Sequence, residues 1–334
     1  MALIMNLRKL HLGGAILLAM QIAFSTTIAG ASDKQSEGMD LIKHAIDLTD
    51  LQHSGPYHLR WNLTVLDEAL RNREGTDEVT FSSTERWRRD LHMTGYDEVA
   101  VFLGHNMYRT RSMAFTPPSV RADYAGSLRN VPEALTFKVV RVFNRKKDNV
   151  EARCVELQAH SYAPGGPTWC FDSRTGLPSE ELGARGYRRE FLNYKSLGSK
   201  FVPGEIEIIA GRKQRAKVVL EAADSAVADP VHGFDPPAGA TVRPWCDDMA
   251  LPSPIILPPM DIRPDFRSRK GLELKYELTI DAQGRVTNIV PMDPKPYVDR
   301  IAIESLRNSQ WNPAMCSGTP VPTDTIFDVG RPDR

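Results

Sequence analysis

Net charge is the first thing this sequence lacks: 42 Lys and Arg stand against 42 Asp and Glu in 334 residues. A chain with no cationic surplus has no electrostatic footing for nucleic acid or an anionic membrane. Cysteine is scarce as well, four in all. There is no Cys-x-x-Cys and no Cys/His grouping at zinc spacing, so metal and thiol-redox chemistry have no motif. Gly-x-Ser-x-Gly, His-Glu-x-x-His, a phosphate-binding glycine loop and a dinucleotide fingerprint are all missing. The seven histidines beyond residue 31 are scattered singly. No catalytic residue, metal ligand or cofactor is therefore assigned, and an enzyme is not expected. Past the N-terminus no apolar run is long enough to span a bilayer. With 41% hydrophobic and 25% charged residues, the composition is globular, neither polytopic nor disordered.

The one long apolar run is an address. Arg8, Lys9 and His11 precede Leu12 to Phe24, and Ala29-Gly30-Ala31 gives a small-x-small cleavage pattern before Ser32. Residues 1–31 read as a signal peptide, with a retained inner-membrane anchor as the alternative. Cleavage leaves a formal charge of −2 and a periplasmic protein. Export turns the cysteines into expected disulfides. Cys154 and Cys170 flank Pro164-Gly165-Gly166-Pro167, a chain reversal between two strand-like runs. Closing that loop contributes about 3 kcal/mol by chain entropy. Cys246 and Cys316 are left to pair with each other.

Met39 to Leu51 has the apolar spacing of an amphipathic helix. From Tyr57 the period changes to two, as in Trp61, Leu63 and Val65, and short strand-like runs continue to Glu221. Many short antiparallel strands imply a curved sheet or half-barrel over 39–228. Within it, Glu85-Arg86-Trp87-Arg88-Arg89-Asp90 reads as a strand face with cross-strand ion pairs. Residues 229–264 hold nine prolines in thirty-six positions, which reads as an interdomain linker. In Leu272 to Ile280 apolar and polar residues alternate strictly. A loop with Gly284, a return strand from Arg285 to Val290, a helix from Tyr297 to Leu306 and a last strand from Val321 to Val329 complete a small α+β module over 265–330. The expected fold class is mainly β with α+β.

Thr279-Ile280-Asp281, Gly284-Arg285-Val286, Asp299-Arg300, Ala302, Leu306, Trp311, Pro313-Ala314, Gly318 and Pro320-Val321 occur in order over about sixty positions. This set resembles the C-terminal domain of the TonB family of periplasmic energy transducers. The resemblance implies that a short receptor segment adds as a strand beside the final strand, whose centre here is Thr323, Asp324, Thr325, Ile326 and Phe327. The family's Ser-x-x-x-His anchor pattern is absent, because Leu7 stands four residues before His11. Phe171-Asp172, Thr175-Gly176-Leu177-Pro178 and Tyr194 leading to Val202-Pro203, after an N-terminal helix and a strand meander, give 40–228 a looser resemblance to the LolA/LolB lipoprotein carriers. That fold implies an unclosed barrel around an apolar cavity. Trp61, Phe81 and Trp87 are the candidate wall residues, because large aromatics alternating on a curved sheet fill a core or line a pocket. The expected function is non-catalytic protein contact in outer-membrane transport, with a lipid or lipoprotein carrier as the alternative. Expected partners are an outer-membrane receptor, another envelope protein or lipid, and no nucleic acid.

Overall fold

The computed structural model describes residues 34–52, 54–65, 73–117, 137–147, 150–159, 167–183, 187–211, 213–225, 233–246, 248–257, 274–292 and 296–329. The expected signal peptide, residues 1–31, lies outside the described residues, as does the 258–264 end of the proline-rich stretch. The chain divides into two compact units, 1–51 with 126–217 and 52–125 with 218–334.

Helix α1 covers 34–49. Five strands follow: β1 (Tyr57–Val65), β2 (Arg73–Ser83), β3 (Arg86–Met93), β4 (Tyr96–Leu103) and β5 (Asn106–Arg111). Next are β6 (Phe137–Lys147), β7 (Val150–Ala159), β8 (Thr168–Asp172), β9 (Pro178–Leu182) and β10 (Tyr187–Leu192). The short hairpin β11 (Lys195–Leu197) and β12 (Lys200–Val202) precedes β13 (Glu205–Ala210). Strand β14 (Lys213–Asp224) begins in the first unit and ends in the second.

The first unit carries the antiparallel order β13-β10-β9-β8-β7-β6. Its apolar face includes Val155, Trp169, Phe191 and Ile206, all buried. Helix α1 lies on that face because Met39, Ile42 and Ala45 recur at helical spacing and are buried. The approach is close at Gly38, where an added Cβ would stand 2.8 Å from Val139 Cγ1. Any larger residue there would force the helix off β6.

In the second unit β15 (Thr241–Pro244) extends the meander, giving β15-β5-β4-β3-β2-β1 with the later part of β14 beyond β1. The C-terminal part comprises β16 (Ser253–Ile256), β17 (Leu274–Ile280), β18 (Val286–Pro291), α2 (Pro296–Arg307), β19 (Gln310–Asn312), β20 (Ala314–Cys316), β21 (Thr319–Val321) and β22 (Thr323–Val329). Strands β18-β17-β22 form one antiparallel sheet, while β16 pairs with β19 and β20 with β21. Its core joins Tyr276, Leu278 and Ile280 to Val298, Ala302 and Leu306 of α2. That is the alternating strand and the helical stripe meeting. Gly284 has φ +76° and no room for a side chain, with Trp311 O only 1.9 Å from a built Cβ.

Two sequence expectations change in detail. The stretch 229–264 is not only linker, since β15 pairs with β5 and β16 with β19. Proline tolerates such places because a strand at the edge of a sheet can spare an N–H. The final strand begins at Thr323 rather than Val321, because Val321 pairs with Ala314 in a separate hairpin. Pro322, without a donor, divides the two strands.

Candidate functional site

Cross-strand register puts the three expected wall residues on one face of the second unit's sheet. Tyr57 is opposite Phe81, and Phe81 is opposite Trp87. Trp61 is four residues along β1 from Tyr57 and therefore points the same way. Tyr57 stacks on Phe81 at 4.8 Å between centroids, and Trp87 on Phe102 at 5.8 Å. Trp61 and Phe81 are buried, whereas Trp87 is half-buried. Trp61 is fully enclosed at 0% exposure, and its indole Nε1 has no hydrogen-bond partner among the described residues. Opposite it stands Asp77, which accepts from Arg89 Nε at 2.8 Å and from its terminal nitrogen at 2.7 Å. Arg88 pairs in turn with Asp90 at 2.6 Å. The charged run around Trp87 thus forms ion pairs on both faces of β3, Arg89 with Asp77 across the strands on the Trp87 face and Arg88 with Asp90 along the strand on the other.

The first unit repeats this construction within itself. Trp169 is buried, stacks on Phe191 at 5.8 Å, and also leaves its Nε1 without a partner among the described residues. Glu181 is its cross-strand neighbour and pairs with Arg189. The aromatic count in the sequence could have drawn attention to Trp169, but its alternation is too short to rank it above other core positions. Two surface grooves run along the helices. One is bounded by Ser36, Glu37, Asp40, Leu41 and His44, the other by Asp299, Arg300, Ile303, Glu304 and Arg307. Neither groove includes Trp61, Phe81 or Trp87.

The candidate partner strand is only partly available. Tyr276, Leu278 and Ile280 of β17 turn to the helix, so Glu277 and Thr279 face the other way. Glu277 Oε1 accepts from Arg111 at 2.5 Å and its other oxygen from Thr116 N at 3.4 Å. Tyr96 Oη and Thr116 Oγ1 donate to Glu98 Oε2 at 2.5 and 2.8 Å. Burial, then the Glu98 charge, holds the Tyr96 hydroxyl well above its ordinary pKa. On β22, Asp324 accepts from Arg109 at 2.8 Å, Arg243 at 3.0 Å and Thr279 at 2.8 Å. Burial alone would raise that carboxyl; the Arg243 hydrogen bond and charge, with Thr279 and Arg109, outweigh it and leave it below the usual range. Of the rest, Thr323 is buried, Thr325 half-buried and Ile326 exposed, while Phe327 meets Trp311 edge-on at 5.7 Å. Sequence reasoning missed these arginine contacts because partners 81 to 215 residues apart leave no local spacing.

Cys154 and Cys170 are register partners on β7 and β8 and are joined as a disulfide. Cys246 and Cys316 form the second disulfide, between the segment after β15 and the end of β20.

No protein-family model matches this chain, and no curated protein matches it. Among solved structures it is similar to a LolA-superfamily protein of Nitrosomonas europaea, at 10% identity and TM-score 0.41, covering 59% of this chain and 97% of that one. A domain of Vibrio parahaemolyticus described as an outer membrane lipoprotein-sorting protein gives 9% identity and TM-score 0.43, over 61% and 97%. The MucA/MucB complex of Pseudomonas aeruginosa gives 12% identity and TM-score 0.31, over 79% and 97%. With identities near one in ten and TM-scores this low, none of these likenesses assigns a family or an activity to this chain.

Proposed function

We propose that the chain is an exported, non-catalytic binding protein of the cell envelope that holds an amphiphile, a lipid or the acyl part of a lipoprotein, against the Trp61 face of its sheet. The supporting observation is the enclosed Trp61 indole N–H, without a partner among the described residues, in a row with Tyr57, Leu59, Leu63 and Phe81. A buried donor left unpaired costs about 1–3 kcal/mol, which a ligand oxygen would recover. The row is 0–5% exposed, so side chains that enclose it would have to move aside for an ester carbonyl to accept from Nε1 and its chain to pack on the apolar row. Native mass spectrometry and lipid extraction of the exported protein would show a bound acyl species. Trp61→Phe, which keeps the ring but removes the donor, would weaken binding of a fluorescent acyl ester about tenfold, the equivalent of about 1.4 kcal/mol. If no acyl species is recovered and the wild type does not bind the probe, the carrier reading fails.

A second reading has its own support. Strand β22 is the outer strand of β18-β17-β22, and a strand with an unpaired edge accepts an extended peptide by backbone pairing. Together with the TonB-like residue order, this favours contact with a segment of an outer-membrane receptor or another envelope protein.

A further inference from the structure

Spacing along the chain hides one donor cluster that folding assembles. Cys246 Sγ, Cys316 Sγ and a carboxylate oxygen of Asp248 all lie within 4.8 Å of one another. We propose that the Cys246–Cys316 disulfide is a reducible clasp whose dithiol form, with Asp248, binds a thiophilic divalent cation of the zinc type. The site would use three protein ligands and leave a fourth position for water.

Size is the first argument. Zinc takes thiolate at about 2.3 Å and carboxylate at about 2.0–2.2 Å, so tetrahedral ligand atoms stand about 3.5–3.8 Å apart. Atoms already within 4.8 Å need only small side-chain rotations to share one ion. Sign is the second. Two thiolates and a carboxylate would repel one another in the reduced form, and a divalent cation cancels most of that charge.

Backbone support is the third argument, because the site must survive loss of the S–S bond. Ala250 and Met315 form a β-bridge, with N–H···O distances of 2.9 and 3.0 Å in the two directions. Asp248 Oδ1 accepts from Ser317 N and Oγ, both at 3.1 Å. The β20–β21 hairpin places Ser317 and Gly318 in its turn, at φ 48° and 77°. These contacts hold the two cysteine-bearing segments together without the disulfide.

Access is the fourth. Cys246 and Cys316 are half-buried beside an exposed Asp248, whereas Cys154 and Cys170 are 0% and 1% exposed. An incoming thiolate therefore reaches the first pair and not the second. The step balances with a dithiol as reductant. Its thiolate attacks one Sγ to form a mixed disulfide, and its second thiol displaces the protein sulfur. The reagent leaves as a cyclic disulfide and the protein holds two thiols, which release two protons when the cation binds.

The test uses the full exported chain, treated with limited dithiothreitol, desalted without oxygen and titrated with Co²⁺. One equivalent should bind with a thiolate-to-cobalt charge-transfer band and the intense visible bands of tetrahedral cobalt, and Zn²⁺ should displace it. Peptide mapping should find the new thiols at 246 and 316 only. Cys246→Ser should lose the charge-transfer signal, and Asp248→Asn should weaken Co²⁺ binding about tenfold or more while the circular dichroism spectrum stays unchanged. A Cys154→Ala/Cys170→Ala variant that folds should bind as the wild type does. The proposal is overturned if the reduced chain binds Co²⁺ no better than Cys246→Ser. Reduction of the 154–170 pair first, or unfolding of the chain on reduction, overturns it equally.

Discussion

Glu277 shows what a single side chain does here. It sits in the middle of β17, whose alternate residues face a helix, and its side chain is 5% exposed against Arg111. Removing one partner of such a pair strands the other charge, which costs about 3 kcal/mol or more, while replacing both by apolar groups is often close to neutral. Glu277→Ala should therefore lower stability by about 3 kcal/mol in urea unfolding, and Arg111→Met/Glu277→Leu should restore most of it. Equal losses in the single and double variants would remove this ion pair from the account. Asp324 contributes to the pH dependence. Its carboxyl is held below the usual value, so the stability it adds is complete above the unfolded Asp value of about 3.9 and is lost as pH falls through the lower folded value. Acid unfolding should be less steep in Asp324→Asn than in wild type below about pH 4. A pH profile unchanged by the substitution would contradict this.

At the level of elements, legibility followed periodicity. β17 could be read from its alternation because one face is buried on α2 and the other meets polar partners, and α2 from its stripe at Val298, Ala302 and Leu306. The strands β15 and β16 could not, because proline suppresses every local strand signal and their pairing is set by β5 and β19. The row that includes Trp61 was visible as an alternation, but its unpaired N–H was not, since satisfaction of a donor is a property of tertiary neighbours. β22 carries the prediction at this scale. Its centre pairs with β17, as Thr325 does with Leu278. Met292 N donates to Lys275 O, so Lys275, Glu277 and Thr279 turn their backbone groups to β18 and Leu278 turns its own to Thr325. The N–H of Ile326 faces away from β17, and proline there removes a donor from the free edge without breaking the ladder. Ile326→Pro should abolish binding of an extended receptor peptide with the module still folded by circular dichroism. Peptide binding that survives this change would exclude β22 as the docking edge.

For the whole molecule, the sequence order of 39–228, 229–264 and 265–330 suggests a carrier with a detachable module, whereas the compact units group 52–125 with 218–334. The physical reason lies in the second unit's own contacts. Arg109 and Arg111 of β5 and Arg243 of β15 reach Asp324 and Glu277, and Cys246 is bonded to Cys316. Four charged side chains of the meander and the β15 segment lose their partners or their cover if 265–334 is removed, namely Arg109, Arg111, Arg243 and the Glu98 that shares Thr116 with Glu277. These ion pairs, the disulfide and the surface they cover are lost together when 265–334 is removed. A chain ending at residue 264 should therefore lack the cooperative unfolding transition of the full chain and collect in the insoluble fraction. The fragment 265–334, without Arg111 and Cys246, should unfold at a lower temperature than it does within the full protein. Limited proteolysis under non-reducing conditions should keep the module attached through Cys246–Cys316 even after a backbone cut between those two residues. Should the shortened chain unfold cooperatively at the midpoint of the full one, the module is an independent appendage, and the arginine contacts are surface ion pairs of little weight.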